Sequence, residues 1–168
     1  MAHFKHPFEP IFSKESTILI LGSFPSVASR ERNFYYAHPQ NRFWKIIAHL
    51  TQTDPIPTHI DEKKFMLLSH KIALWDVIQS CNIEGSSDSR IRHVIPVDLS
   101  SILKNVPISN IFTNGRRAYQ LYRKYFSKYF PINVTILPST SPANAIYNFK
   151  KLMDRWSVIF DKTERDLP

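Results

Sequence analysis

The chain has 168 residues, 43% apolar and 21% charged, with 12 prolines, 3 glycines and a single cysteine. This composition predicts one globular domain over 1–168 that can bury a core without staples. It excludes an internal disulfide and any site built from several thiolates, and no run of 18 apolar residues is available for a membrane span. The net charge of +8, with a pI near 9.7, favours a polyanionic partner, because each neutralised phosphate releases counterions.

In chain order, "MAHFKHPFEPIF" at the start lacks an uninterrupted apolar stretch and a small-residue cleavage site. No signal peptide is expected there, and an intracellular, cytoplasmic protein is. The first apolar run is "STILILGS" (16–23), followed by "GSFPS" (22–26). "NRFWKIIAHL" (41–50) places Phe43, Trp44, Ile47 and Leu50 on one helical face. "DEKKFMLLSH" (61–70) suits a helix leading into a second run, "KIALWDVI" (71–78). The segment 79–107 reads as a functional loop and then a short capped helix from about Asp98. A third run, "ISNIFTNG" (108–115), precedes a helix over 115–130 with an apolar stripe of Ala118, Leu121, Tyr122, Tyr125 and Phe126. A fourth, "INVTILPS" (132–139), precedes a helix over 141–160 that Ser141 would cap, with Pro142 in its first turn.

Strands alternating with helices predict a parallel α/β sheet with right-handed crossovers, and the continuously apolar runs predict strands covered on both faces. Ligands of such sheets bind beyond the carboxyl ends of the strands. Four segments therefore meet at the predicted cleft: "GSFPS", "DVIQSC" (76–81), "TNGRR" (113–117) and "LPSTSP" (137–142). "GSFPS" is neither a P-loop nor a nucleophile elbow, since both glycine spacings are wrong; by itself it reads equally as a tight turn. Ser139, Thr140 and Ser141 suit an anion such as a backbone phosphate, or simply a helix cap. Asp76 and Asp88 fall in cleft-side segments and are open to a ligand-binding role.

"FYYAHPQNRFWKII" (34–47), taken with "GSFPS" and "LPSTSPANA" (137–145), resembles the uracil-DNA glycosylase superfamily, and most closely its hypoxanthine-DNA (deoxyinosine) glycosylase branch. The mismatch-specific uracil glycosylases are similar too. The resemblance implies a three-layer α/β sandwich with a central four-stranded parallel sheet flanked by helices. It also implies a monomeric enzyme that flips a deaminated base out of double-stranded DNA and hydrolyses its N-glycosidic bond, with no metal or cofactor. Hypoxanthine is the foremost substrate it implies, with uracil or xanthine as others. A non-catalytic nucleic-acid-binding domain and a hydrolase of free nucleotides are the rival readings.

Carried over residue by residue, the resemblance puts Gly22, Ser23, Phe24, Pro25 and Tyr36 around the base, with Tyr36 as the stacking ring, and His38 either on the base or a phosphate or in a structural role. It puts Asn114, Ser139, Thr140, Ser141, Ala143 and Asn144 along the DNA, with Ala143 and Asn144 near the tip of the inserting loop; Arg42 is open to a phosphate contact or a salt bridge, and Arg116 to a phosphate contact or a place on the solvated surface. Most branches carry Asp or Asn at the third position of the first motif to orient water; here it is Phe24, so Asn41 is the expected catalytic residue. An amide is no general base, but its carbonyl could hold water in line with the sugar C1′ and stabilise an oxocarbenium-like cation. The competing role for the same oxygen is a cap on the helix that follows.

Overall fold

A computed structural model describes residues 1–84 and 90–161. Its centre is a four-stranded parallel sheet in the order β3-β2-β6-β7, built from β2 (Ile18–Gly22), β3 (Ile72–Asp76), β6 (Asn110–Asn114) and β7 (Asn133–Leu137). All four apolar runs are thus strands. β2 and β3 are buried at every residue, as continuous apolar runs require. β7 departs from that expectation: as an edge strand it buries only Leu137 fully, and Asn133 and Thr135 face solvent. The opposite edge strand, β3, stays dry because Ile11 pairs with Leu74 through two backbone hydrogen bonds of 2.8 and 2.9 Å.

Helices flank this sheet. α3 (Ile60–Ser69) packs on β3, α5 (Arg116–Tyr125) on β6 and β7, and α2 (Phe43–Leu50) against α6 (Phe149–Trp156). No helix among the described residues is long and apolar enough to cross a membrane.

Three parts of the chain differ from expectation. Residues 79–107 are not mainly loop: β4 (Ile78–Ile83) and β5 (Ile91–Pro96) form a hairpin, followed by the one-turn α4 (Ser100–Leu103). β1 (Ala2–Lys5) pairs with β4, making a second, antiparallel sheet in the order β1-β4-β5. Secondly, α1 (Val27–Arg32) follows "GSFPS"; Ser26 caps it by accepting from the Ser29 N–H, and its six residues carry no apolar stripe to betray it. Thirdly, the last helix begins at Phe149 with Asn148 as its cap, not at Ser141. The carbonyls of Thr140, Ser141, Asn144 and Tyr147 accept from the Arg42 guanidinium, where a helix over 141–148 would have offered them to its own N–H groups. Asp88 lies outside the described residues.

Candidate active site

The order β3-β2-β6-β7 places the topological switch at β2, and a pocket opens there beyond the strand ends. Its lining includes residues 22–26 at and beyond the end of β2, Asp76 at the end of β3, Asn114 at the end of β6 and residues 139–141 after β7. Tyr35, Tyr36 and Asn41 come from the aromatic segment, and Phe8 from the N-terminal segment. The void measures about 120 Å³. It is a little smaller than the apolar cavity of about 150 Å³ that takes a benzene ring, so the enclosed part is on the scale of one flat six-membered ring.

Tyr36 is one wall. Its ring stacks on Phe43, with centroids 4.3 Å apart and planes at 28°, and Phe43 is fully buried. Phe43 and Trp44 are both core residues, and Phe43 backs the wall. Tyr36 has φ of 50°, a left-handed conformation that costs an aromatic residue roughly 1–2 kcal/mol, held by the fold at a site. Its hydroxyl is sealed beneath Gly22 without a hydrogen-bond partner. Phe24, buried, supplies a second apolar wall. Gly22 is required here: a Cβ would stand 2.3 Å from Asp76 Oδ1 and 2.8 Å from the Tyr36 hydroxyl.

Burial first, and the neighbouring Asp76 charge second, push the Tyr36 hydroxyl far above the usual phenol range. Tyr35 shifts the same way for the same leading cause, and it donates to the Glu9 carbonyl at 2.9 Å. Both rings stay neutral in ordinary buffers.

Asn41 lines the pocket, and its orientation is fixed by a chain of hydrogen bonds. Asn114 grips Thr140 twice: Oδ1 accepts the Thr140 N–H at 3.0 Å, and Nδ2 donates to Thr140 Oγ1 at 3.0 Å. The Thr140 hydroxyl, having accepted, donates onward to Asn41 Oδ1 at 2.8 Å. The Phe43 N–H donates to the same oxygen at 2.9 Å. Capping and Thr140 therefore occupy both lone pairs of the carbonyl expected to hold water. What Asn41 has left without a protein partner among the described residues is Nδ2, a donor.

Arg42 also differs from expectation. Its guanidinium is turned into the fold, where Nε donates to Thr140 O at 3.3 Å and Nη2 to Ser141 O and Asn144 O at 2.8 and 3.2 Å. Nη1 donates to Tyr147 O. One planar cation with fixed N–H directions thus shapes residues 140–147 and does not reach outward to a phosphate. His38 is exposed and outside the pocket lining, in a turn that the Asn41 N–H closes on its carbonyl at 2.9 Å. Its Nδ1 accepts from the Gln40 N–H at 3.1 Å.

Beside the pocket runs a groove of about 510 Å³ lined by Gly115, Arg116, Ser139, Ser141, Ala143 and Asn144. Arg116 is exposed at the start of α5, as Arg117 is. Gly115 has φ of 94°, and a Cβ there would meet Ser139 Cβ at 3.3 Å, so glycine keeps the two loops close. Asn144 is a strut whose Nδ2 donates to Ser139 O at 3.0 Å, while Ala143 offers a single methyl. The large exposed apolar side chain of this loop is Ile146, 82% accessible, a position to which the sequence resemblance assigns no role. Phe8 and His6 were missed as well, because nothing near them in sequence marks a site.

Against known proteins, the model of the uracil DNA glycosylase superfamily matches residues 9–164. A hypoxanthine DNA glycosylase of Methanosarcina acetivorans is 33% identical over 164 residues, covering 93% of this chain and 98% of that one. A hypoxanthine DNA glycosylase of Methanosarcina barkeri is 29% identical, with 94% and 99% covered. A solution NMR structure from M. acetivorans, described as a candidate uracil DNA glycosylase, superposes with a TM-score of 0.79 at 31% identity. It covers 92% of this chain and 96% of its own. With the match running nearly end to end, and the pocket at the switch point of the expected sheet, the chain belongs to the uracil DNA glycosylase superfamily.

Proposed function

We propose that residues 1–168 act as a monomeric, monofunctional DNA glycosylase that removes deaminated bases, hypoxanthine foremost, from double-stranded DNA. The observation that carries this reading is the Asn41 amide, locked through its oxygen and left with a donor at the pocket. The naming of two relatives as hypoxanthine DNA glycosylases supports the choice of base.

In this reading the backbone lies along the groove, with Arg116 and the Ser139 and Ser141 hydroxyls toward phosphates. The damaged nucleotide swings out, at a cost of a few kcal/mol of lost stacking, and its base enters between Tyr36 and Phe24. Ile146 fills the space the base leaves, because it is the large exposed apolar group on the loop beside the groove.

The C1′–N bond then breaks with its electron pair moving to the base and an oxocarbenium-like cation forming on the sugar. Asn41 Nδ2 donates to the departing base as that charge builds. The Thr140 O–H and Phe43 N–H on the amide oxygen polarise it and strengthen the donor. Water adds to C1′ afterwards and gives up one proton, which solvent carries to the departed base, so that the neutral base and the abasic sugar result. Phe24 offers the water no polar group, so cleavage depends on a base that leaves readily. No lysine lines the pocket among the described residues, which supports hydrolysis without a Schiff base.

The test is a panel of duplexes, each with one deoxyinosine, deoxyuridine or deoxyxanthosine, incubated with the protein and then treated with alkali. Strand breaks at deoxyinosine, faster than at the others, are expected. No break at any deaminated base would leave a DNA-binding domain without chemistry.

A further inference from the structure

The charge excess of the chain is confined to one stretch. Residues 99–153 hold eight Lys and Arg and no Asp or Glu, so the whole +8 lies in them, and the rest of the chain balances at 14 of each. In the fold this stretch contains β6, α5 and β7. Four of its cations, Arg116, Arg117, Arg123 and Lys124, are exposed on α5. His6 and Asp76 pair at 2.7 Å in the interior, whereas none of these four has a carboxylate partner among the described residues.

Helix stability does not account for them. Arg116 and Arg117 occupy the first turn, where cations oppose the helix dipole and where α5 has no acidic residue. Seven residues make nearly two whole turns, so Arg123 repeats the position of Arg116, and Lys124 that of Arg117, about 10.5 Å along the axis. That spacing matches the rise of about three base pairs. The Arg123 guanidinium lies 5.9 Å from the Tyr119 ring centroid and Lys124 Nζ 5.2 Å from that of Tyr125, contacts that limit how far each side chain wanders. The upper pair is continuous with the groove beside the pocket, which Arg116 lines. α5 joins the parallel strands β6 and β7, so it runs back from their carboxyl ends and carries Arg123 and Lys124 away from the pocket. Beyond them a hollow lined by Tyr125, Tyr129 and Asp98 brings in a carboxylate and ends the strip.

We propose that α5 is a flank-binding strip: the DNA backbone leaves the groove at Arg116 and follows the helix, so that Arg117, Arg123 and Lys124 hold phosphates of undamaged duplex to one side of the flipped nucleotide. This rests on the protein acting on DNA as proposed above. Such contacts carry no sequence information. Each neutralises a phosphate and releases counterions, which adds affinity and holds the protein on any duplex before it meets a damaged base. Because Arg123 and Lys124 stand away from the pocket, only a duplex arm long enough to reach them gains. Because the strip lies on one side of the pocket, the gain belongs to one arm and not the other.

The experiment measures binding of the full chain, by fluorescence anisotropy, to duplexes with one tetrahydrofuran abasic site, a product analogue with no base to lose. Three duplexes of about 25 base pairs carry the site at the centre, about three base pairs from one end, or about three from the other, so total charge is constant. Shortening one arm should weaken binding about tenfold, and shortening the other by less than about twofold. Arg123→Gln with Lys124→Gln should abolish that difference. It should also lower the slope of log K against log salt on the central site by about 1.8, two phosphates at about 0.9 each. On the duplex whose arm is too short for the strip, the same variant should bind, and excise deoxyinosine, as the wild type does. Arg123→Lys with Lys124→Arg keeps both charges and should keep the difference. So should Lys14→Gln with Lys64→Gln, an equal loss of charge at exposed positions outside the stretch. A wild type indifferent to arm length, or equally sensitive to both arms, would overturn the inference. So would a difference that survives in Arg123→Gln with Lys124→Gln, or that Lys14→Gln with Lys64→Gln also removes. Deoxyinosine excision without a one-arm effect sinks this inference alone; a one-arm effect without abasic sites sinks the glycosylase reading alone.

Discussion

Asn41→Asp separates two ways an asparagine could serve this chemistry, because it replaces the pocket-side donor with an acceptor of the same shape. One carboxylate oxygen keeps the Phe43 N–H at 2.9 Å and the Thr140 hydroxyl at 2.8 Å, so the local fold retains its partners. Stability should change by no more than about 1 kcal/mol, since two charge-assisted hydrogen bonds offset partial desolvation of the charge. The other oxygen takes the Nδ2 position. Losing one preorganised donor to developing charge costs about 2.7–4 kcal/mol, roughly 10²–10³ in rate. A full negative charge about 4 Å from the departing base adds repulsion of about 4 kcal/mol at an effective dielectric near 20, part of it already present before the bond breaks. Single-turnover excision from a deoxyinosine duplex should therefore slow by at least about 10²-fold. If Asn41 instead served by holding water through its oxygen, a carboxylate would be the better group and the rate would hold or rise. That result would refute the donor role.

Other consequences are independent of that substitution. Arg42→Lys replaces a planar fork that reaches four carbonyls with a point charge carrying three donors; it should cost about 1–3 kcal/mol, a Tm fall of roughly 3–10 °C by calorimetry, and loosen residues 140–147. Ile146→Ala should slow excision from double-stranded DNA by about tenfold while leaving single-stranded deoxyinosine DNA within about twofold, because only the duplex needs a wedge; equal losses on both would remove the wedge role. Tyr35 and Tyr36 titrate higher in the folded state than the ordinary phenol value of 10.0. The unfolded chain alone loses those protons as the pH rises past about 10, so stability is intact below that pH and falls above it. Tyr36→Phe also removes an unpartnered buried hydroxyl. It should leave stability at pH 8 unchanged or slightly higher and make the decline above pH 10 shallower, as measured by urea unfolding.

The central sheet was legible in the sequence because each parallel strand is a short, unbroken apolar run, and three of the four are buried nearly throughout. The second sheet was not. β5 alternates and shows only one fully buried residue, and β1 has none, so neither carries an apolar signal. The helix expected at Ser141 failed for a tertiary reason: Arg42, about a hundred positions earlier, claims the carbonyls that a helix would need. Of the site, Tyr36, Phe24 and Asn41 could be placed from one aromatic segment and its order relative to "GSFPS". Asn41's hydrogen-bonding sense could not, since it is set by Thr140 and Asn114 from two other strand ends. His6 was invisible for a similar reason, its partner lying 70 residues away.

The most direct measurement is recovery of the free base. A duplex with one deoxyinosine, incubated with the protein and resolved by chromatography, should release hypoxanthine in equal amount to the abasic sites formed, with no protein–DNA adduct trapped by borohydride. Hypoxanthine that stays on the DNA, or an adduct that accumulates as the base departs, would contradict a glycosylase that works by water alone.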